Sequence, residues 1–346
     1  MINFPRNLNR VLITGGAGFI GGTLVRKLLR ETSLNIVNLD KLTYASNFNN
    51  LNKVFDANRY KTLKVDLNNL EETKMAIKLS NPDIVFHLAA ETHVDRSILG
   101  PRNFLDSNIF GTFNLLEALK PHWEFLSSLR KKNFRLIHIS TDEVFGSLGP
   151  NGFFSEKSSY NPSSPYSATK AASDHLVRSW YKTYGIPSII TNSSNNFGPC
   201  QFPEKFIPVV ILNAISNKSI PIYGDGKNIR DWIYVEDHVD ALIKVALKGR
   251  IGDSYCIGGS QEKSNEEIVE LVCKVLDCHN KINSPHNRLK SFVEDRSGHD
   301  RRYAIDSKKI KDELGWVPKY DFNDAISSTV KWYLENIDWC KKYIKA

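Results

Sequence analysis

Tyr166 and Lys170 stand four residues apart in Pro165-Tyr-Ser-Ala-Thr-Lys-Ala171. On a helix that spacing puts both side chains on one face, and an ammonium beside a phenol favours phenolate, lowering its pKa toward that of a usable base. Such a pair is common by chance and, taken alone, reads as a surface contact. A sharper group is Ser140-Thr-Asp-Glu-Val144, which directly follows an apolar run. Thr141, Asp142 and Glu143 therefore emerge together where a strand ends. Two adjacent carboxyls can divide acid from base duty if their environments separate their pKa values; a charged strand-to-loop turn is the plainer alternative. The third feature is Thr14-Gly-Gly-Ala-Gly-Phe-Ile-Gly21, with Gly15, Gly18 and Gly21 at G-x-x-G-x-x-G spacing. Glycines so placed allow a tight turn and a close approach of backbone to a pyrophosphate at the positive end of a helix.

These groups need a frame. Through the first half of the chain, short apolar runs alternate with helical patterns, the mark of parallel βαβ units. Residues 11–14, 35–39, 83–88 and 134–139 read as buried strands and residues 19–30 as a helix; Phe104, Ile109, Phe113 and Leu116 predict another over 103–119. The glycine loop thus lies between a strand and a helix, the context the motif requires. Asp40 ends the second strand, twenty-two residues after Gly18. A carboxylate there accepts from ribose hydroxyls and repels a 2′-phosphate, which favours NAD over NADP. Asp66 reaches the adenine if it closes a third strand, and is a surface turn otherwise. Behind the glycine motif, Tyr166, Lys170 and the Thr141–Glu143 group read as one site at the C-terminal ends of strands, where open α/β sheets bind ligands. After about residue 190, Pro199, Pro203, Pro208 and Pro221 with Gly224 and Gly226 punctuate shorter elements; 235–247 and 265–276 are helical and 254–257 strand-like. The expected fold is α/β, a doubly wound parallel (Rossmann-type) sheet with a smaller C-terminal substrate-binding lobe. Residues 1–194 are expected to form the NAD-binding domain, to which a segment near 232–258 returns, and 195–346 an interleaved second lobe.

Composition sets the outer limits. The 346 residues are 41% apolar and 24% charged, with 46 Lys and Arg against 38 Asp and Glu, a formal net charge of +8. This is the composition of a packed protein, not of a disordered chain. The basic residues are spread along the sequence instead of being gathered on one element among aromatics, so no nucleic-acid surface is expected; the excess suits an anionic substrate. The longest uncharged stretch, 11–25, is broken by five glycines and falls short of the roughly 18 residues of a spanning helix. The first residues do not read as a secretory leader, and none is expected. The five cysteines are odd in number and scattered, without a C-x-x-C pair, and read as reduced thiols of a cytoplasmic protein. No metal is expected, and residues 341–346 read as a polar tail without a role.

With these residues in view, the chain resembles the extended short-chain dehydrogenase/reductases, and within them the nucleotide-sugar 4,6-dehydratases. The segments that carry the resemblance are Gly15 to Gly21, Asp40-Lys-Leu-Thr-Tyr-Ala45, His87-Leu-Ala-Ala-Glu-Thr-His-Val-Asp-Arg-Ser97, Ser140 to Val144, Tyr166 to Lys170, Ser194-Asn-Asn-Phe-Gly-Pro199, Arg230-Asp-Trp-Ile-Tyr-Val-Glu-Asp-His238 and Arg296-Ser-Gly-His-Asp-Arg-Arg302. The resemblance implies an NAD-dependent lyase that oxidises a nucleotide sugar at carbon 4, eliminates water across carbons 5 and 6, and returns hydride to carbon 6, in deoxysugar biosynthesis. The implied substrate is dTDP-glucose, with UDP-glucose as the alternative.

By the same resemblance Tyr166 is the base for the 4-hydroxyl, Glu143 the base for the carbon 5 proton and Asp142 the acid for the departing 6-hydroxyl. Thr141 holds the 4-oxygen, and Lys170 binds the nicotinamide ribose. Implied cofactor contacts are Gly15, Gly18, Phe19, Ile20, Gly21, Asp40, Lys41, Leu42, Thr43, Asp66, Leu67, Leu88, Ala89, Ala90, Ser107 and Asn196, with Tyr166 and Lys170. Implied substrate contacts are Thr92, Thr141, Asn195, Lys205, Phe206, Pro221, Ile222, Tyr223, Arg230, Asn265, Asp295, Arg296 and His299, the arginines suiting a diphosphate through their planar forks. A homodimer through helices near 103–119 and 166–184 is also implied. A 4-epimerase or decarboxylase of the same superfamily would have no use for the Asp142–Glu143 pair, and a non-catalytic dinucleotide sensor would not need Tyr166 and Lys170 as well. The chain departs from the family pattern at Phe145, Thr92, Ser297 and Cys200 and in a short 147–160 loop; none of these removes an acid, base or cofactor group.

Overall fold

Val11 and Ile13 point into one core cluster and Leu12 into another, so the first strand is apolar on both faces, as a strand covered by helices on each side must be. The structure, a computed structural model, describes residues 2, 4–5, 8–46 and 58–341; the polar tail expected past residue 341 lies outside the described residues. Twelve strands are found among them: β1 (Arg10–Thr14), β2 (Asn35–Asp40), β3 (Tyr60–Lys64), β4 (Ile84–His87), β5 (Arg135–Thr141), β6 (Ser188–Ser193), β7 (Asn195–Phe197), β8 (Ile220–Tyr223), β9 (Ile229–Tyr234), β10 (Ser254–Ile257), β11 (Glu262–Ser264) and β12 (Lys290–Val293). Seven of them form one parallel sheet in the order β3-β2-β1-β4-β5-β6-β10. The order reverses between β1 and β4, and at such a switch point the loops diverge and leave a crevice at the strand C-termini.

Helices Phe19–Glu31 and Val235–Lys248 cover one face through Leu24, Leu28, Val239 and Leu242; helices Leu70–Ser80, Gly111–Glu124 and Pro165–Tyr184 cover the other through Ile77, Leu115, Leu119 and Val177. A third core joins helices Phe206–Ile215, Asn265–His279 and Phe322–Glu335 to β7, β8 and β9. There β7, β9 and β11 form a small sheet, and β8 pairs with β12. Among the described residues no helix is long and apolar enough to cross a membrane.

Local signals explain the elements that hold the site. Ser164 and Ser167 close a capping box at the start of helix Pro165–Tyr184, with Pro165 in the first turn and Gly185 in the left-handed conformation at its end, which fixes where Tyr166 lies. Three expectations differ from what is found. The plain helix predicted over 103–119 is interrupted by a π turn at Leu105–Phe110; there the Asn108 side chain clamps the backbone of Glu91 through two hydrogen bonds and donates to Thr169, as such bulges do near functional sites. Strand β5 runs on to Thr141. Asp66 does not close the third strand, which ends at Lys64; its carboxylate accepts from the amide of Asn68 in the turn that follows.

Candidate active site

A cavity of about 340 Å³ lies at the C-terminal ends of β1, β2, β4, β5 and β6. At one end is the glycine loop. Gly15 has φ +73°, and a Cβ there would stand 2.7 Å from the amide nitrogen of Ala89. A Cβ on Gly21 would stand 2.2 Å from the Gly15 carbonyl oxygen. Gly18 caps helix Phe19–Glu31 without a side-chain hydrogen bond, and no acidic residue occupies the first turn, so the helix N-terminus turns its amides and positive dipole end to the cavity. Asp40 sits opposite, its carboxylate accepting from the amides of Ala17 and Leu42. Loop, helix terminus and acidic residue fit a dinucleotide without adjustment. The fit predicts that Gly21→Ala, whose methyl meets backbone instead of a movable side chain, costs at least about 1–3 kcal/mol of stability and loses the thermal stabilisation that added NAD gives the parent. Gly22→Ala, with nothing nearer than 3.6 Å, should be neutral or stabilising. A Gly21→Ala protein as stable and as NAD-responsive as its parent would overturn this.

At the other end β5 delivers Thr141 and, in the one-turn helix Asp142–Phe145, Asp142 and Glu143. Thr141 Oγ1 donates to Asp142 Oδ1 at 3.2 Å and accepts from the Glu143 amide. Asp142 is 1% exposed, and its Oδ2 has no hydrogen-bond partner among the described residues. Burial, then the charges of Glu143 and Asp231, push its carboxyl well above the ordinary range. Glu143 is also raised by burial, but the cations Arg296, Arg230 and Lys205 pull against it. The two neighbours thus differ in environment: one is a carboxyl with one unpaired oxygen, held toward its acid form, and the other feels three positive charges.

Tyr166 and Lys170 complete this end. Burial raises the Tyr166 phenol well above its usual value, the charges of Glu143 and Asp142 add to that, and a hydrogen bond with Thr141 opposes it. Lys170 is not among the groups that dominate the phenol. Its Nζ donates to the Ile139 carbonyl at 2.8 Å, and burial brings it down to about 8. The spacing alone predicted an ammonium working directly on the phenol; instead the lysine turns to the strand backbone, and burial first, then the two carboxylates, favour the protonated tyrosine.

The cavity is lined by Gly15, Gly18, Phe19, Ile20, Gly21, Asp40, Lys41, Thr43, Asp66, Leu67, Leu88, Ala89, Ala90 and Ser107, and by Thr92, Thr141, Asp142, Glu143, Tyr166, Lys170, Asn195, Asn196 and Lys205. Lys41 donates to Ser107 at 2.7 Å and pairs with Glu91, and Lys205 donates to the Thr92 carbonyl. Leu42 does not line the cavity; with φ +62° it forms the turn whose amide Asp40 holds. The remaining expected substrate residues do not line the cavity, although the charges of Arg230 and Arg296 reach Glu143. Arg230 is buried against the carbonyls of Ile229 and Asp300 and the ring of Tyr303. Arg296, Asp95, Tyr223, His299 and Asp295 form one polar group between helix Val94–Leu99, strand β8 and the segment after β12. Asn265 opens helix Asn265–His279, Phe206 stacks on Trp232, and Pro221 lies in β8. Ile222 is wholly buried in the third core, so its side chain meets other apolar groups instead of a ligand.

Some residues of the site escaped the reading of the sequence. Tyr44, Glu91, Ser193, Ser194, Gln201 and Glu204 also line the cavity; Tyr44, Glu91 and Ser194 lay within quoted segments, beside residues chosen for a more obvious chemistry. Asp231, which adds its charge to Asp142, is itself raised to about 7 by burial, and only its burial in β9 identifies it.

Comparison with known proteins agrees with this geometry. The profile of the family described as GDP-mannose 4,6 dehydratase matches residues 12–329. A dTDP-glucose 4,6-dehydratase of Neisseria meningitidis serogroup B is 49% identical over 345 residues, covering 98% of this chain and 97% of the relative. One from Salmonella typhimurium is 50% identical, covering 95% and 94%. Among solved structures, a dTDP-glucose 4,6-dehydratase from Streptomyces venezuelae with NAD and TYD bound is similar with a TM-score of 0.88 at 38% identity, over 96% of this chain and 99% of that one. Its Bacillus anthracis counterpart in complex with NAD gives 0.84 at 40%, over 97% and 99%. The chain belongs to the GDP-mannose 4,6 dehydratase family, and the relatives it matches along almost its whole length are dTDP-glucose 4,6-dehydratases.

Proposed function

We propose that the chain catalyses the NAD-dependent dehydration of dTDP-glucose to dTDP-4-keto-6-deoxy-glucose. The observation that carries this reading is the meeting of Asp142 and Glu143 with Tyr166 in the cavity that the glycine loop opens. Exchange at carbon 4 alone needs one base, whereas elimination of a poor leaving group needs an acid on its oxygen and a base on the neighbouring carbon. The glycine loop and helix N-terminus would hold the pyrophosphate of NAD, Asp40 a ribose and Lys170 the nicotinamide ribose; Asp66, which lines the cavity from the turn after β3 and not from the strand's end, and Leu67 would meet the adenine. NAD, when bound, supplies the acceptor for hydride from carbon 4 and its return to carbon 6.

The protein's part is proton traffic. Tyr166 takes the proton of the 4-hydroxyl, with Thr141 holding the oxygen. The ketone so formed acidifies the proton on carbon 5, which Glu143 removes and later returns. Asp142 protonates the departing 6-hydroxyl, and burial, which raises its pKa, favours the acid form that this role needs. Over one turnover Tyr166 has gained a proton, Asp142 has lost one and Glu143 ends as it began, so the site resets by moving a proton from phenol to Asp142. Arg230, Arg296, Lys205 and His299 would take the diphosphate and its sugars in the second lobe, from residue 195 onward.

A homodimer is part of the proposal, supported by Leu105, Phe110 and Tyr184, apolar side chains exposed on the π turn Leu105–Phe110 and helix Pro165–Tyr184, and so is a cytoplasmic setting. The test is mass spectrometry of dTDP-glucose and UDP-glucose after separate incubation with protein and NAD. Loss of one water from dTDP-glucose is the expected result. Loss from UDP-glucose instead would move the base preference, and no change in either would sink the reading.

A further inference from the structure

Helix Pro165–Tyr184 carries a third functional side chain on the face that holds Tyr166 and Lys170. One turn further on, Asp174 is fully buried, where carboxylates are seldom found without a partner that needs their charge. Its Oδ2 accepts from Ser140 Oγ at 2.8 Å, from the Tyr160 hydroxyl at 2.8 Å and from Asn192 Nδ2 at 3.4 Å. His138 Nε2 stands 3.1 Å from Oδ1. These donors come from β5, from β6 and from the segment before the helix. Burial pushes the carboxyl up, yet His138, Lys170 and Tyr160 outweigh it and hold it below its ordinary value.

Three of those donors are neutral in every state and would serve an amide almost as well. The group that needs the negative charge is Lys170. Its ammonium is buried, it donates to one backbone carbonyl, and among the described residues it makes no ion pair. Burial lowers it, and Asp174 is the charge that raises it. We propose that Asp174 is a positioning residue, a buried counter-charge that keeps Lys170 an ammonium without touching it and leaves two of its N–H bonds free for the ligand. The Tyr-x-x-x-Lys pair is then two members of a triad spaced by single turns, Tyr166, Lys170 and Asp174. This rests on the proposed role of Lys170 in oxidation at carbon 4.

Among the groups around Asp174, Lys170 is the one free to change charge in the neutral to mildly alkaline range; the carboxyls that burial also raises, Asp142, Glu143 and Asp231, make no hydrogen bond with Asp174 among the described residues. His138 on β5 and His87 on β4, 5.2 Å apart, are both pushed down by burial and stay neutral. Tyr160 is pushed up by burial and stays protonated; Tyr166 is pushed up by burial and by Glu143 and Asp142, and loses its proton only to act as the base. Arg178 donates to the Tyr160 hydroxyl from the same helix, and His175 packs against the Tyr160 ring. A charged lysine exists below its pKa, so removing a nearby negative charge moves the alkaline loss of activity to lower pH.

The experiment is the pH profile of the first NADH absorbance rise with dTDP-glucose, which reads oxidation and not the later elimination. Asp174→Asn should move the alkaline limb down by about one to two pH units, with activity recovering as pH falls. Tyr160→Phe, which removes a donor but not the charge, should leave the limb in place. A folded Asp174→Asn protein whose limb does not move, whatever its overall rate, would overturn the proposal. If Asp174→Asn does not fold, Asp174→Glu decides: the limb stays if charge is what matters, and a downward shift despite the retained charge refutes it. A parent protein that oxidises no nucleotide sugar would instead refute the function on which the proposal rests.

Discussion

Tyr166→Phe is expected to slow oxidation at carbon 4 by about 10²–10⁴-fold, the usual contribution of a positioned general base, while leaving NAD affinity close to that of the parent. The ring keeps its burial and its edge-on contact with Phe104, so the loss falls on proton transfer and not on packing. The phenol makes this variant informative because the protein holds it protonated: burial and two carboxylates all raise it. Work is therefore required to free the proton before the base can act, and a variant without the oxygen cannot do that work at all. A single-turnover mixing experiment reading NADH absorbance separates the cases. Rapid NADH formation by Tyr166→Phe would assign the base elsewhere. A slow phase that quickens with added small-molecule base would support the assignment.

Much of the frame was legible because it rests on short-range rules. A strand, a glycine loop and a helix in immediate succession leave few options for residues 10–31, and the apolar runs announced a parallel sheet through burial on both faces. What stayed hidden depends on contacts between distant segments. Nothing local marks the π turn at Leu105–Phe110; it becomes visible once Asn108 is seen clamping Glu91. The spacing of Tyr166 and Lys170 gave their common face correctly but not their electrostatics, because the carbonyl that takes the lysine, Ile139, belongs to a strand some thirty residues upstream. Asp231 and Asp174 are ordinary aspartates in the sequence. Their meaning comes from burial beside a charged neighbour, which periodicity cannot report. For the second lobe the quoted segments named residues such as Arg230 and Arg296, while the group joining Arg296, Asp95 and Tyr223 depends on how helix Val94–Leu99 packs against it.

Asp142→Asn combined with Glu143→Gln should let NADH form on mixing with dTDP-glucose yet reduce release of the 4-keto-6-deoxy product by at least about 10²–10⁴-fold, since both the acid and the base of the elimination are gone. The single variants divide the step. In Asp142→Asn the ketone still forms and Glu143 still removes the carbon 5 proton, so in deuterated water carbon 5 should exchange although water does not leave. In Glu143→Gln neither exchange nor elimination should proceed. The environments support this division. Asp142 is the carboxyl with an unpaired buried oxygen and the larger push toward its acid form, whereas the smaller rise that burial gives Glu143 is opposed by Arg296, Arg230 and Lys205. A base must be ionised and an acid must not, and the cations act on the residue assigned as base. Neither substitution should weaken the fold, because each removes a carboxyl that burial already disfavours as an anion. Full product formation by the double variant, or carbon 5 exchange that survives Glu143→Gln but not Asp142→Asn, would reverse the two roles or remove them.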